Sequence, residues 1–309
     1  MLRLETYSQT TLGLVLFLSS AMWGLYWLPL RYMENAGIEG TWSIAYFNAC
    51  PLLVLYPLLL VRRRGWSVGL GPALLAGCLV GLAVTSYATG LVASSVVRAT
   101  LLFYLTPIWS TIVGALWLGD HLTLGRVAAI LVGLLGVFLL IFQANSSELP
   151  LNIGDLFAAM SGVFWAFGAA TLKRWPEAPT LTVTTIQVTT TALSAAILSV
   201  VLFEIPYPQL TPIRSVFALA FAASVLILLP TMWLLFRIAQ ILFPGRVGVL
   251  MMSEVLVAVV SASILLPEEQ LSPVQWLGAM AIVAAALLEV LTGSRGPQGV
   301  AGPGTTTGG

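Results

Sequence analysis

Charge is the scarcest thing in this chain. Of 309 residues, 8% are Asp, Glu, Lys or Arg, while 59% are hydrophobic and the mean hydropathy is +0.98. A soluble domain carries about 25% charge. So little polar surface cannot face water on all sides, and the solvent this chain expects is lipid. The net charge of +1 comes without a broad basic stripe, which excludes a nucleic-acid partner. Cysteine is nearly absent. Cys50 and Cys78 lie singly inside apolar runs with no C-x-x-C or Cys/His spacing, so neither a metal site nor a structural disulfide is expected. There is one histidine, His121, and it stands at the end of an apolar run. No G-x-S-x-G, H-E-x-x-H or Walker A loop occurs, which argues against a hydrolase, a metalloprotease and an ATP-driven pump. No cofactor is expected.

What is present is a series of long apolar runs. About 20 apolar residues cross a bilayer core. Ten runs qualify: 12–31, 42–61, 72–94, 97–118, 124–143, 153–173, 182–203, 213–236, 246–266 and 273–291. Backbone groups in lipid must pair within each run, so each is predicted to be a helix. The runs do not alternate in polarity, which excludes a β-barrel. The first run has no A-x-A-like cleavage site and is read as a retained helix rather than a signal peptide.

The Lys/Arg distribution orients the chain. With the N-terminus in the cytoplasm, Arg3, Arg62, Arg63, Arg64, Arg126, Lys173, Arg174, Arg237, Arg246 and Arg295 fall on the cytoplasmic side. Only Arg31, Arg98 and Arg214 fall opposite. Both termini are therefore expected to be cytoplasmic.

The chain also repeats itself. Ser19-Ser-Ala-Met-Trp-Gly24 in the first span is echoed by Ser161-Gly-Val-Phe-Trp-Ala166 in the sixth. The fourth span runs from Tyr104 through Pro107 to the acidic corner Gly119-Asp-His121. The ninth, from Ser253-Glu254, ends in Leu266-Pro-Glu-Glu-Gln-Leu-Ser272, about 149 residues later. Five spans per half is an odd number, so the second half enters the membrane upside down. Inverted repeats with a midplane site between them mark secondary transporters. The expected units are an N-terminus 1–11, a first repeat 12–143, a linker 144–152, a second repeat 153–291 and a disordered Gly/Pro/Thr-rich tail 292–309. The expected fold is an all-α polytopic membrane protein, ten transmembrane helices as two inverted five-helix repeats around a central cavity.

Glu254 is the acidic residue placed deep inside a span. A charge there costs on the order of 2.5–3.5 kcal/mol by insertion scales unless it is paired, hydrated or neutralised. It serves either as a site for a substrate amine or proton, or as a packing hydrogen bond. Pro107 in the fourth span and Pro230 in the eighth each remove a backbone donor and predict a bend, static or hinged. Trp23, Tyr87, Tyr104, Trp109, Trp165 and Trp233 lie at mid-depth, where interface belts do not explain them; Trp42, Trp66 and Trp117 lie nearer span ends. Ser19 shares a helix face with Trp23, and Ser161 with Trp165. The six aromatics either line an amphipathic cavity or pack helix on helix. Asn48 and Gln187 are mid-span amides that either bind a zwitterion or bond across helices. Ala73, Gly77 and Gly81 form a small-residue ridge, a packing motif.

Trp in the first and sixth spans, and Leu105-Thr-Pro107 followed by Leu118-Gly-Asp-His-Leu-Thr123, resemble the drug/metabolite transporter superfamily of the EamA repeat type, over about residues 12–291. Within it the chain resembles the bacterial aromatic amino acid exporters. The resemblance implies an inner-membrane exporter of aromatic, and other neutral, amino acids working by alternating access. It implies a cavity between the first, third, fourth, sixth, eighth and ninth spans, and acidic corners at Asp120 and Glu269. Leu256 stands where Pro107 aligns, and Pro267 interrupts the second corner, so the two bending helices are expected to be unequal. The expected partners are a small-molecule substrate, an amino acid, and the lipid bilayer, with a monomer sufficing. The alternatives are a proton-coupled exporter of cationic drugs, an intramembrane enzyme, which lacks a nucleophile beside a base, and a channel, which lacks a filter or charged ring.

Overall fold

The computed structural model describes residues 6–61, 69–94, 96–142, 152–265 and 272–292. Arg3, the Arg62–Arg64 cluster, Trp66, Pro267, Glu269, Arg295 and the C-terminal tail lie outside the described residues. Within them the chain forms helices and no strand. Seven helical segments are long and apolar enough to cross a membrane: Gln9–Asn35, Thr41–Val61, Leu70–Ala93, Ile153–Arg174, Thr180–Val201, Leu210–Ala239 and Pro244–Leu265. Three shorter apolar helices, Thr106–Leu118, Leu124–Leu139 and Pro273–Ala285, accompany them.

Numbered by the ten apolar runs of the sequence, several of these elements are built from two pieces. The first is α1 (Gln9–Trp23) and α2 (Trp27–Asn35), parted at Gly24. The second is α3 (Thr41–Ala49) and α4 (Leu52–Val61), parted at Cys50-Pro51 where a backbone donor is missing. The third is a single helix, α5 (Leu70–Ala93). The fourth is α6 (Val96–Phe103) and α7 (Thr106–Leu118), and the fifth is α8 (Leu124–Phe142). Unbroken α9 (Ile153–Arg174) and α10 (Thr180–Val201) follow. The eighth span is α11 (Leu210–Ala223), a π turn (Ser224–Leu228) and α12 (Leu229–Ala239). The ninth is α13 (Pro244–Leu250) and α14 (Ser253–Leu265), and the last helix is α15 (Pro273–Thr292).

Pro107 bends its span as its chemistry requires. The break falls at Tyr104-Leu105, and Pro107 sits in the first turn of α7, where no donor is missed. The carbonyl it leaves free, that of Phe103, accepts from the Thr106 hydroxyl instead. Pro230 does not break its span. It sits in the first turn of α12, directly after the π turn, which widens the helix and absorbs the lost bond as a bulge. The ninth span corrects the sequence alignment. It breaks at Met251-Met252, without Gly or Pro at the break. Helix α7 begins at Thr106 and α14 at Ser253, 147 residues later, and each runs 13 residues. Glu254, not Leu256, therefore stands where Pro107 stands, as the second residue of its half-helix. The two bent spans are more alike in backbone than their sequences predict.

The most extensive packing runs between the two halves of the sequence. Helix α5 lies against α9 and α10, α8 against α15, α7 against α9 and α13, and α1 against α12 and α14. The halves are interleaved rather than set side by side. The small-residue ridge explains the closest of these contacts. A Cβ on Gly77 would meet Ile186 at 2.7 Å, and one on Gly81 would meet Thr190 at 2.6 Å, so α5 and α10 approach only because both are glycine. Gly24 plays the same part for the first span, where a Cβ would lie 2.9 Å from the Ala258 backbone nitrogen of α14.

One end of the bundle is closed by basic residues. Arg126 Nη1 lies 2.5 Å from Asp120 Oδ2, and both side chains are buried. Burial pushes the Asp120 carboxyl above its ordinary value, against the pull of the Arg126 guanidinium. Lys173 donates to the Ile241 carbonyl, and Arg246 donates to Gln9 Oε1 at 2.9 Å. The first of these two ties joins the sixth and eighth spans within the second half, and the second reaches across the halves to α1. His121 is exposed beside the corner.

Candidate transport site

The breaks in the fourth and ninth spans face each other. The Tyr104 hydroxyl, in the first break, donates to the Met251 carbonyl in the second at 3.4 Å. A Cβ on Gly248 of α13 would lie 3.1 Å from the Pro107 Cα. The half-helix α14 thus starts inside the protein, and Glu254 lies in its first turn. The positive end of a helix suits a negative charge. The side chain is 1% exposed. Tyr87 and Tyr104 turn their hydroxyls towards it, yet neither carboxylate oxygen completes a hydrogen bond among the described residues. A buried carboxyl without partners costs several kcal/mol unless something binds it.

A cavity of about 20 Å³ lies beside this cluster, lined by Trp23, Ala83, Val84, Tyr87, Phe103, Trp165, Met232, Leu235 and Met251. Its walls come from the first, third, fourth, sixth, eighth and ninth spans. It has room for one water. Tyr87 and Phe103 pack at 4.6 Å between ring centroids, and Phe103 meets Tyr104 edge-on at 5.4 Å. Trp165 is buried, and its indole Nε1 has no acceptor among the described residues. The cluster therefore offers an unused N–H donor and an unused carboxyl inside one aromatic wall.

Trp23, Tyr87, Tyr104, Trp165 and Glu254 are the sequence candidates that the fold gathers here. Asn48 stands one step back. It donates to the Tyr26 hydroxyl at 3.0 Å, and Tyr26 stacks on Trp23 at 4.6 Å with 10° between the planes. Gln187 belongs to the α5–α10 contact, where it donates to Thr191 Oγ1 at 3.2 Å. Trp109 is 37% exposed and faces outward with Ile112 and Leu116. Pro107, Ser110, Thr111 and Gly114 take the buried face of α7, and the restart of the helix at Thr106 fixes that phase. Trp233 is half-buried on α12 and does not line this cavity. Ser19 donates weakly to the Thr231 carbonyl at 3.5 Å, and Ser161 to Ala158 in its own helix, so both serines serve packing. Tyr26, Phe103, Met232 and Met251 escaped sequence reasoning. The Trp-x-x-Tyr spacing of Trp23 and Tyr26 was a usable signal for one of them; Met251 had none.

The family model that matches is that of the EamA-like transporter family, over residues 11–142 and again over 152–291. A solved crystal structure, 19% identical, superposes with a TM-score of 0.69 over 93% of this chain and 98% of its own, a likeness of fold. No curated protein matches the sequence.

Proposed function

The chain belongs to the EamA-like transporter family, whose members are transporters and not enzymes, and from that premise we propose that it exports aromatic and other neutral amino acids by alternating access. The carrying observation is Glu254, buried with both oxygens unpartnered against an aromatic wall. An α-amino acid supplies what this cluster lacks. Its ammonium pairs with the Glu254 carboxylate, as buried charges require. Its carboxylate accepts from Trp165 Nε1 and the tyrosine hydroxyls. Its side chain takes the apolar wall of Trp23, Phe103 and Met232. A pocket mostly apolar, with a few convergent polar groups, is the usual form of such a site.

The 20 Å³ cavity is too small for an amino acid, so the site opens by motion. The interleaving of the halves rules against each half rocking as a block. The movement falls instead on the breaks at Gly24, Tyr104-Leu105 and Met251-Met252, where helix hydrogen bonding is already interrupted. The proposed setting is a bacterial inner membrane, both termini cytoplasmic, ten spans, one chain per transporter.

A second reading rests on the same carboxyl. Glu254 alternates between a proton and a cationic drug, and export is driven by the proton gradient. Purified protein in liposomes preloaded with phenylalanine, leucine, aspartate or a quaternary ammonium dye separates the two. The first reading expects saturable phenylalanine counterflow without a pH gradient. Dye flux that requires a pH gradient, with phenylalanine flux no greater than in empty liposomes, would favour the second and remove the first.

A further inference from the structure

The two-repeat architecture has one conspicuous inequality. In the first half the third span, α5, is sealed against the sixth and seventh through Gly77, Gly81 and Gly90. Its counterpart, the eighth span, should seal in the same way against the first and second. That span, Leu210–Ala239, contains no glycine. It is also bowed by the π turn Ser224–Leu228. The result is a groove of about 340 Å³ between the first and eighth spans, floored by Trp23, Tyr26 and Phe47.

The groove opens to lipid. On α1, Leu14, Leu18 and Met22 form an outward stripe, and Leu18 is 65% exposed. The stripe continues at helical spacing through Leu25 and Pro29 to Tyr32, all three on the groove wall. Opposite, Leu219 and Ile227 are outward-facing. The lining is apolar apart from Thr231 and the tips of Trp23, Tyr26 and Tyr32. Arg31 follows on the same helix, adjacent to Tyr32 and one turn from Leu28, both of which line the groove. Arg31 is largely exposed and, among the described residues, pairs with Glu34 at 3.9 Å. An exposed pair at that distance contributes little.

An alkyl-shaped groove ending at an arginine and a tyrosine hydroxyl has the chemistry of a phospholipid site. We propose that one phospholipid acyl chain lies in this groove, with its phosphate at Arg31 and Tyr32, in the leaflet opposite the N-terminus. The chain then packs on Trp23, which also lines the cavity beside Glu254. Bound lipid thereby holds the Trp23–Tyr26 stack in place. The proposal does not depend on which substrate is carried.

The test uses the full chain in nanodiscs of phosphatidylethanolamine and phosphatidylglycerol, doped with phosphatidylglycerol bearing a diazirine in mid-chain. Photolysis and peptide mass spectrometry locate the adducts. Adducts on Met22–Tyr32 and Leu219–Ile227 should exceed those on the more exposed Leu131 and Leu135 of α8 by about tenfold. Ala223→Trp, which fills the groove, should erase that excess. An alkylglycerol probe of equal length but without phosphate should label the groove less than the phospholipid does, and Arg31→Gln should remove the difference. Even labelling of the groove and α8, or equal labelling by the two probes, would overturn the proposal.

Discussion

Glu254 and Trp109 show what one residue reveals and what it conceals. Glu254 was legible in the sequence because a carboxyl in an apolar run is expensive wherever the helix faces. Trp109 was equally apolar and equally central, but its role depends on helix phase. Pro107 restarts the helix at Thr106, and the new phase turns Trp109 outward with Leu116. Sequence spacing cannot count across a break whose position is unknown. Two outcomes follow at this scale. Glu254→Gln should lower phenylalanine counterflow by at least about tenfold, the loss of roughly 1.4 kcal/mol of binding. Trp109→Ala should leave flux within about twofold of wild type, as for outward-facing positions elsewhere. Strong loss in Trp109→Ala with normal flux in Glu254→Gln would move the site to the wrong face of α7.

At the scale of the element, the helices were legible and their breaks only in part. Apolar length announces a span, and proline announces that something must give. It does not say what gives: Pro107 sits at a break with a hydroxyl cap, whereas Pro230 sits behind a π turn. The break at Met251-Met252 carries no Gly or Pro and was visible only as the partner of the break at Tyr104-Leu105. Thr106→Val removes the donor that meets the Phe103 carbonyl, and should cost about 1–3 kcal/mol, read as a lowered melting midpoint in detergent. Helix α5 supplies two contrasting glycines, Gly77 on the ridge and Gly71 off it. Gly77→Leu must displace Ile186 and should destabilise by about 1–3 kcal/mol. Gly71, with nothing within 4 Å of a Cβ, should accept alanine within about 1 kcal/mol of wild type. Equal melting midpoints for the two glycine variants would show that α5 and α10 do not pack as closely as described.

The whole molecule is an interleaved pair of repeats, and interleaving was not legible. Sequence repeats identify equivalent helices but not which half each one packs against, and the strongest contacts here cross between halves. The inside surface of the bundle is therefore assembled from both repeats at more than one level, from Arg246 on Gln9 to Tyr104 on Met251. The proposed orientation is open to direct labelling. In a chain with Cys50 and Cys78 replaced, single cysteines at Ser8 and His121 should be protected from an impermeant thiol reagent in intact cells. Those at Glu39 and Tyr207 should react. The reverse pattern would invert the molecule in the membrane.

The role proposed for Glu254 is to recognise the ammonium group of an amino acid held against an aromatic wall. Two analogues competing against phenylalanine counterflow isolate that role: phenethylamine, which keeps the ammonium, and phenylpropionate, which lacks it. In the wild-type protein phenethylamine should compete and phenylpropionate should not, and in Glu254→Gln that preference should disappear. Equal competition by both analogues in the wild type, or a preference that survives in Glu254→Gln, would contradict it.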